Sequence, residues 1–115
     1  MAREDRNSSG YCASKASVIG FTRALAAELG QYGITVNAIY PGSVATPMIE
    51  SVIDTISANS GPDRKEVRSS MESSIPLKRF QQPEDVADLV CFLASDYAKN
   101  ISGESMNLDG AVVRD

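Results

Sequence analysis

Histidine is absent from the 115-residue sequence, and cysteine occurs only twice. Without histidine there can be no Ser-His-Asp or Cys-His catalytic group and no zinc site with an imidazole ligand, and two thiolates cannot close a zinc site by themselves. Both cysteines, Cys12 and Cys91, fall within helical patterns, where a small buried thiol is the expected state rather than a disulfide or a reactive nucleophile. No apolar run reaches the length of a membrane span, and the opening MAREDRNSSG lacks the apolar core of a secretory signal. The expected compartment is therefore the cytoplasm, with no membrane as partner. Charge of one sign is not blocked either: 15 acidic and 11 basic residues are interspersed to a net charge of −4. That pattern leaves no basic footprint for nucleic acid or for an anionic lipid surface.

What is present is an ordinary globular composition, 43% hydrophobic and 23% charged, in a chain long enough for one domain that buries about two thirds of its unfolded surface. With imidazole excluded, acid–base chemistry has to come from carboxylates, tyrosine or lysine. The run YCASKASVIGFTRALAAELG opens with Tyr11 and Lys15 four residues apart, so on a helix the phenol and the ammonium project from nearly the same side. A free phenol ionises only well above neutral pH. A cation about 4 Å away, at an effective dielectric near 20, favours the phenolate by up to about 4 kcal/mol, less when solvated. The positive N-terminus of the helix acts in the same direction.

Punctuation divides the chain into elements. A first helix is expected over 11–29, ended by Gly30 and Gly33 where a left-handed cap is wanted. ITVNAIY, from Ile34 to Tyr40, reads as a strand broken by Pro41-Gly42. A helix over Pro47 to Ala58, a polar loop SANSGPDRKE and a short helix over Asp63 to Ser73 follow. Pro83 at a first helical position, with Glu84 and Asp85 in the first turn, opens a helix that ends near Ser95 and carries Val86, Leu89, Val90 and Leu93 as one stripe. A last strand over Glu104 to Leu108 is closed by Asp109-Gly110. Strand, long helical crossover, strand is the parallel βαβ arrangement, and two strands are too few to be a whole sheet.

The first helix is apolar on two faces. At 100° per residue, Val18, Phe21, Leu25 and Leu29 share a bulky face, while Ala13, Ala16, Gly20, Ala24 and Ala27 line a small one. A helix of this kind has to be covered twice: the bulky face is expected against a sheet, the small face against another helix, across a subunit boundary in an oligomer. Tyr11 and Lys15 lie at angles near the bulky face and are expected to point toward the end of the sheet.

These residues resemble the C-terminal half of a short-chain dehydrogenase/reductase. Tyr11 and Lys15 meet the family's Tyr-x-x-x-Lys motif, PGSVATPM (Pro41 to Met48) its cofactor loop after the next strand, and PEDVADLVCFLASD, ISG and LDG its later pattern, all in the family's order and spacing. The resemblance implies an α/β fold, the C-terminal part of a Rossmann-type doubly wound parallel sheet, with two strands and about four helices in this chain. It makes 1–115 a partial NAD(P)-binding domain, in which residues 1–10 are expected to be disordered. The implied activity is an NAD(P)-dependent interconversion of an alcohol and a ketone by hydride transfer. Tyr11 would exchange the proton, and Lys15 would assist it and hold the nicotinamide ribose. Pro41, Gly42, the backbone of Val44 and the hydroxyl of Thr46 would form the carboxamide side of the site. The cofactor would be NAD or NADP, and the partners a small-molecule alcohol or ketone and further copies of the chain, joined through the first helix and the C-terminal strand–helix region. The segment from Met48 to Ile75 would be the substrate lid, with a mobile polar middle.

Two family features are not found in the 115 residues: the Gly-rich turn that cradles the pyrophosphate and the serine thirteen residues before the tyrosine. Ser8 and Ser9 are too close to Tyr11 to be that serine. Ala111 stands where the family usually has a second glycine after Asp-Gly. The expectation is thus a truncated C-terminal half, inactive alone, whose first helix and strand edge expose apolar surface. The alternative is a non-catalytic remnant that serves only as an oligomerisation or interaction module.

Overall fold

Residues 9–112 are described by a computed structural model of the chain. In chain order it contains α1 (Ser9–Leu29), a 3₁₀ turn (Gly30–Tyr32), β1 (Ala38–Pro41), α2 (Pro47–Ser60), α3 (Arg64–Ser74), α4 (Pro83–Leu93), a second 3₁₀ turn (Asp96–Ala98) and β2 (Ser105–Leu108). The strands pair directly in one two-stranded sheet. Ala38 N donates to Glu104 O and Gly42 N to Leu108 O, both at 2.9 Å. The partners rise together in number along both strands, so the pairing is parallel, as the crossover requires.

Helix boundaries follow from their terminal chemistry. The first helix ends in the 3₁₀ turn, closed by Gly33 in the left-handed region at φ 71°, whereas Gly30 opens that turn instead of capping the helix. Pro47 occupies the first turn of α2, and Gly61, at φ 88°, ends it with its N–H on Ser57 O. The Asp63 carboxylate caps α3 by accepting from Glu66 N at 2.8 Å. At the start of α4, Asp85 Oδ2 reaches back to accept from Gln82 N at 2.7 Å, the second half of a capping box.

Several expectations are corrected. The first helix begins at Ser9, so Ser9 and Gly10, expected to be disordered, are helical; the rest of that expectation, on residues 1–8, lies outside the described residues. The first strand runs over Ala38–Pro41 instead of Ile34 to Tyr40; before Ala38 the main-chain bond from Gly103 N to Val36 O at 2.7 Å is accompanied by side-chain bonds in place of a regular ladder. Val36 N donates to Ser102 Oγ at 3.0 Å, Asn37 Nδ2 donates to Ile101 O at 3.0 Å, and Asn37 Oδ1 accepts from Glu104 N at 3.2 Å. The polar stretch between the second and third helices is not one long loop, since only residues 61–63 lie outside the helices.

Packing divides the described chain into two compact units, one holding residues up to Tyr40 with Leu89–Met106, the other holding Pro41–Asp88 with residues from Asn107 onward. In the second unit Ile53, Val67, Ile75 and Phe80 form a buried cluster with Ala45, Ile49 and Met71 packed against it. Ile53 is fully buried, which contributes about 1.5–3 kcal/mol by removal of its side chain from water. The α2–α3 hairpin is tied at its rim by Glu50, which pairs with Arg64 at 2.6 Å and with Arg68. Arg68 also lies over the Phe80 ring, 5.5 Å from its centroid.

In the first unit the least exposed stripe of α1 is Lys15, Ile19, Thr22, Leu25, Ala26 and Leu29, rotated from the bulky face expected from the sequence. Thr22 is buried, and its hydroxyl donates to Val18 O at 2.7 Å, back along the helix. Val18 and Phe21, expected to face a sheet, are exposed, and so is the small-residue face from Ala13 to Ala27. Cys12 and Cys91 are exposed as well, not buried, and lie in no disulfide.

Candidate active site

The helix start sets the first group of candidate residues. Tyr11 and Lys15 lie on successive turns of α1. Tyr11 is 69% exposed, whereas Lys15 is half-buried. The ring that meets the ammonium is that of Tyr40: Lys15 Nζ sits 4.9 Å from its centroid. The Tyr40 hydroxyl in turn donates to the main-chain oxygen of Lys15 at 3.3 Å. Sequence reading passed over Tyr40. The available signal was its place as the last residue before Pro41-Gly42, at the carboxyl end of a parallel strand, where open α/β sheets bind their ligands.

The second group lies in the other unit, on the loop from Pro41 to α2. Gly42 is required by a close approach of main chains: a Cβ there would stand 2.8 Å from Asp109 Cβ and 2.9 Å from Asp109 Cα. Asp109 is buried, and its Oδ1 accepts from Ala111 N at 2.9 Å. Val44 forms an isolated parallel bridge with Gln81, in which Gln81 N donates to Ser43 O at 2.9 Å and Ala45 N to Gln81 O at 2.8 Å. Both bonds flank Val44, so in an extended segment its own N–H and C=O are turned away from Gln81. Thr46 is the N-cap residue of α2, but its side chain makes no capping bond; the hydroxyl donates instead to Val44 O at 3.4 Å. Of the two buried polar residues that seat this loop, Gln81 and Asp109, the sequence marked Asp109 only as part of the Asp-Gly turn that closes the last strand, and nothing short of tertiary structure marks Gln81.

Among the described residues no group of histidine, cysteine, aspartate and glutamate could hold a metal ion, and no helix is long and apolar enough to cross a membrane.

A family model described as enoyl-(acyl carrier protein) reductase matches residues 2–112. The oxidoreductase UcpA of Salmonella typhimurium is 44% identical over 107 residues, covering 92% of this chain and 39% of that protein. The 3-oxoacyl-(acyl-carrier-protein) reductase FabG of Staphylococcus aureus is 41% identical over 102 residues, covering 89% of this chain and 37% of its own. Among solved structures, a short chain dehydrogenase family protein from Francisella tularensis superposes with a TM-score of 0.85 at 34% identity, covering 96% of this chain and 46% of that one. The L-sorbose reductase of Gluconobacter frateurii, solved with NADPH and L-sorbose, superposes with a TM-score of 0.83 at 31% identity over 91% of this chain and 40% of that one. The chain belongs to the short-chain dehydrogenase/reductase family, and its two-stranded parallel α/β arrangement matches part of the Rossmann-like fold of these neighbours. It spans about two fifths of the length of the curated relatives it matches.

Proposed function

We propose that the chain works as the C-terminal part of an NAD(P)-dependent oxidoreductase that interconverts a small-molecule alcohol and a ketone. The observation that carries this reading is the placement of Tyr11 and Lys15 one turn apart at the start of α1 in a chain of this family. A nicotinamide dinucleotide, NAD or NADP, supplies or accepts the hydride when bound. The chain's own groups suit it on two counts: a Val44 main-chain amide turned away from its Gln81 neighbour, and a Thr46 hydroxyl uncommitted to the helix cap.

The Tyr11 phenol exchanges a proton with the substrate hydroxyl or carbonyl oxygen, and its exposure keeps that oxygen accessible. The Lys15 ammonium donates to the nicotinamide ribose. The Val44 backbone and the Thr46 hydroxyl hold the carboxamide, while Pro41 and Gly42 shape the loop that carries them. Holding reactants at reacting distance accounts for about 7–11 kcal/mol of such a barrier. The Gly-rich turn and the serine that contribute to this elsewhere in the family are not among these 115 residues, so the reading requires them from an N-terminal portion, and the 115 residues alone are expected to be inactive.

The test is to titrate NADH and NADPH against the purified chain and to assay a panel of ketones and alcohols, alone and with an N-terminal half fused or supplied in trans. Activity that appears only on reconstitution and disappears in Tyr11→Phe and Lys15→Met supports the reading. Reconstituted activity that survives either substitution removes the role assigned to that residue.

A second reading, an association module without catalysis, is favoured by the exposed apolar faces of α1. In either case we propose a cytoplasmic homo-oligomer, joined through α1 and the C-terminal strand–helix region.

A further inference from the structure

Tyr40 takes part in none of the roles above, yet it contacts Lys15 twice across 25 residues of sequence. Its ring faces the ammonium at 4.9 Å, and its hydroxyl bonds the main-chain oxygen of the same residue. The two contacts do different things. The hydroxyl ties the end of β1 to the helical turn that bears Lys15. The ring holds the far end of a side chain with four rotatable bonds, which in solvent would sample many rotamers. A ring face attracts a cation through its quadrupole without accepting a conventional hydrogen bond. The three N–H donors of the ammonium are therefore left for a ligand. A carboxylate in the same place would occupy those donors and neutralise the charge, and among the described residues none pairs with Lys15.

We propose that Tyr40 is a positioning residue: it fixes the Lys15 ammonium while leaving its donors directed to the ribose hydroxyls of a nicotinamide nucleotide. The proposal rests on the reading of Lys15 as a cofactor-holding residue. It assigns the ring, rather than the hydroxyl, as the element that matters to the ligand, so Tyr40→Phe should preserve the function and Tyr40→Leu should not.

The contact is read directly by NMR of the chain with ¹³C-labelled lysine. The ε-methylene protons of Lys15 should resonate upfield of those of the exposed Lys65 and Lys99, because they lie over an aromatic face. They should stay there in Tyr40→Phe and return to the position of the exposed lysines in Tyr40→Leu. An unshifted Lys15 in the unsubstituted chain overturns the proposal without need of any variant that could fail to fold. Titration with reduced nicotinamide mononucleotide then tests the consequence. Tyr40→Leu should weaken binding by about two- to thirtyfold, the range of a cation–π contact, with Tyr40→Phe within about twofold of the unsubstituted chain. If Lys15→Met weakens binding and Tyr40→Leu does not, Tyr40 has no positioning role while the reading of Lys15 stands. If Lys15→Met binds as well as the unsubstituted chain, the reading of Lys15 falls and the proposal falls with it.

Discussion

The two units of the chain solve the problem of apolar surface in opposite ways. The unit built from Pro41–Asp88 and the residues after Met106 closes a cluster of its own, with Ile53, Val67, Ile75 and Phe80 buried against one another. The unit that carries Tyr11 and Lys15 buries Thr22 and Ala98, while Val18, Phe21, Tyr32, Ile34, Val90, Phe92 and Tyr97 stay exposed. Sequence hydrophobicity does not separate them, since both are rich in aliphatic side chains. The difference lies in topology. A helical hairpin with a three-residue turn brings two amphipathic faces together locally, whereas a helix that flanks a parallel sheet depends on strands and helices distant in sequence. The α2–α3 hairpin is thus self-sufficient, and we read α1, which carries Tyr11 and Lys15 and keeps Val18 and Phe21 exposed, as a helix to be covered by something else.

The largest effect that sharpens this contrast is expected at Ile53. Truncation of a fully buried aliphatic side chain removes its transfer free energy and leaves a cavity, so Ile53→Ala should cost about 2–5 kcal/mol. Hydrogen exchange should show amide protection lost throughout α2 and α3. A loss below about 1 kcal/mol would mean that the cluster is not a working core, and the contrast would collapse. Next comes Gly42, where an added Cβ would meet the main chain of Asp109 at 2.9 Å, a neighbour that cannot rotate away. Gly42→Ala should therefore cost about 1–3 kcal/mol, and chemical denaturation of the purified variant measures it directly.

How much of this was legible beforehand follows the same division. The hairpin announces itself in local chemistry: Pro47 in a first turn, Gly61 in the left-handed region and Asp63 as a cap are all readable from residue type. The parallel pairing followed from the strand–crossover–strand order. What could not be read was set by partners far along the chain. The irregular pairing before the first strand joins Val36 and Asn37 to partners 64 to 67 positions away, and the ring that Lys15 meets comes from 25 residues away. Phe80, in the polar-looking run KRFQQ, is buried because it packs into the hairpin cluster and under Arg68. Periodicity found the two apolar faces of α1 but not which stripe is covered, since that depends on neighbours and not on the helix itself.

A smaller effect of opposite sign is expected at Ala111, in the same unit as the core. Its φ of 74° places an L-residue with a Cβ in the left-handed region, a conformation that disfavours alanine by about 1–2 kcal/mol. Glycine loses more chain entropy on folding, which offsets part of the gain. Ala111→Gly should raise stability by up to about 1 kcal/mol, seen as a higher midpoint of chemical denaturation. A lower midpoint would show that the turn is held in another conformation.

The smallest expected change in folding stability is at Phe21, and it is also the change that can break the comparison. Phe21 is 65% exposed on α1, so its truncation removes little buried area, and Phe21→Ala should alter the stability of the isolated fold by less than about 0.5 kcal/mol. Its effect should fall on association instead. A large aromatic side chain beside the exposed Val18 presents an apolar surface of the kind that marks a contact site. Sedimentation of the unsubstituted chain should show association that increases with concentration, and Phe21→Ala should shift the distribution toward the monomer. The two readouts must separate. If the substitution destabilises the chain by 2 kcal/mol or more at every concentration, Phe21 is buried within the fold, and the first unit closes a core as the second does. If stability and association are both untouched, the exposed face of α1 makes no contact, and the idea that this unit is built to be covered loses its main support.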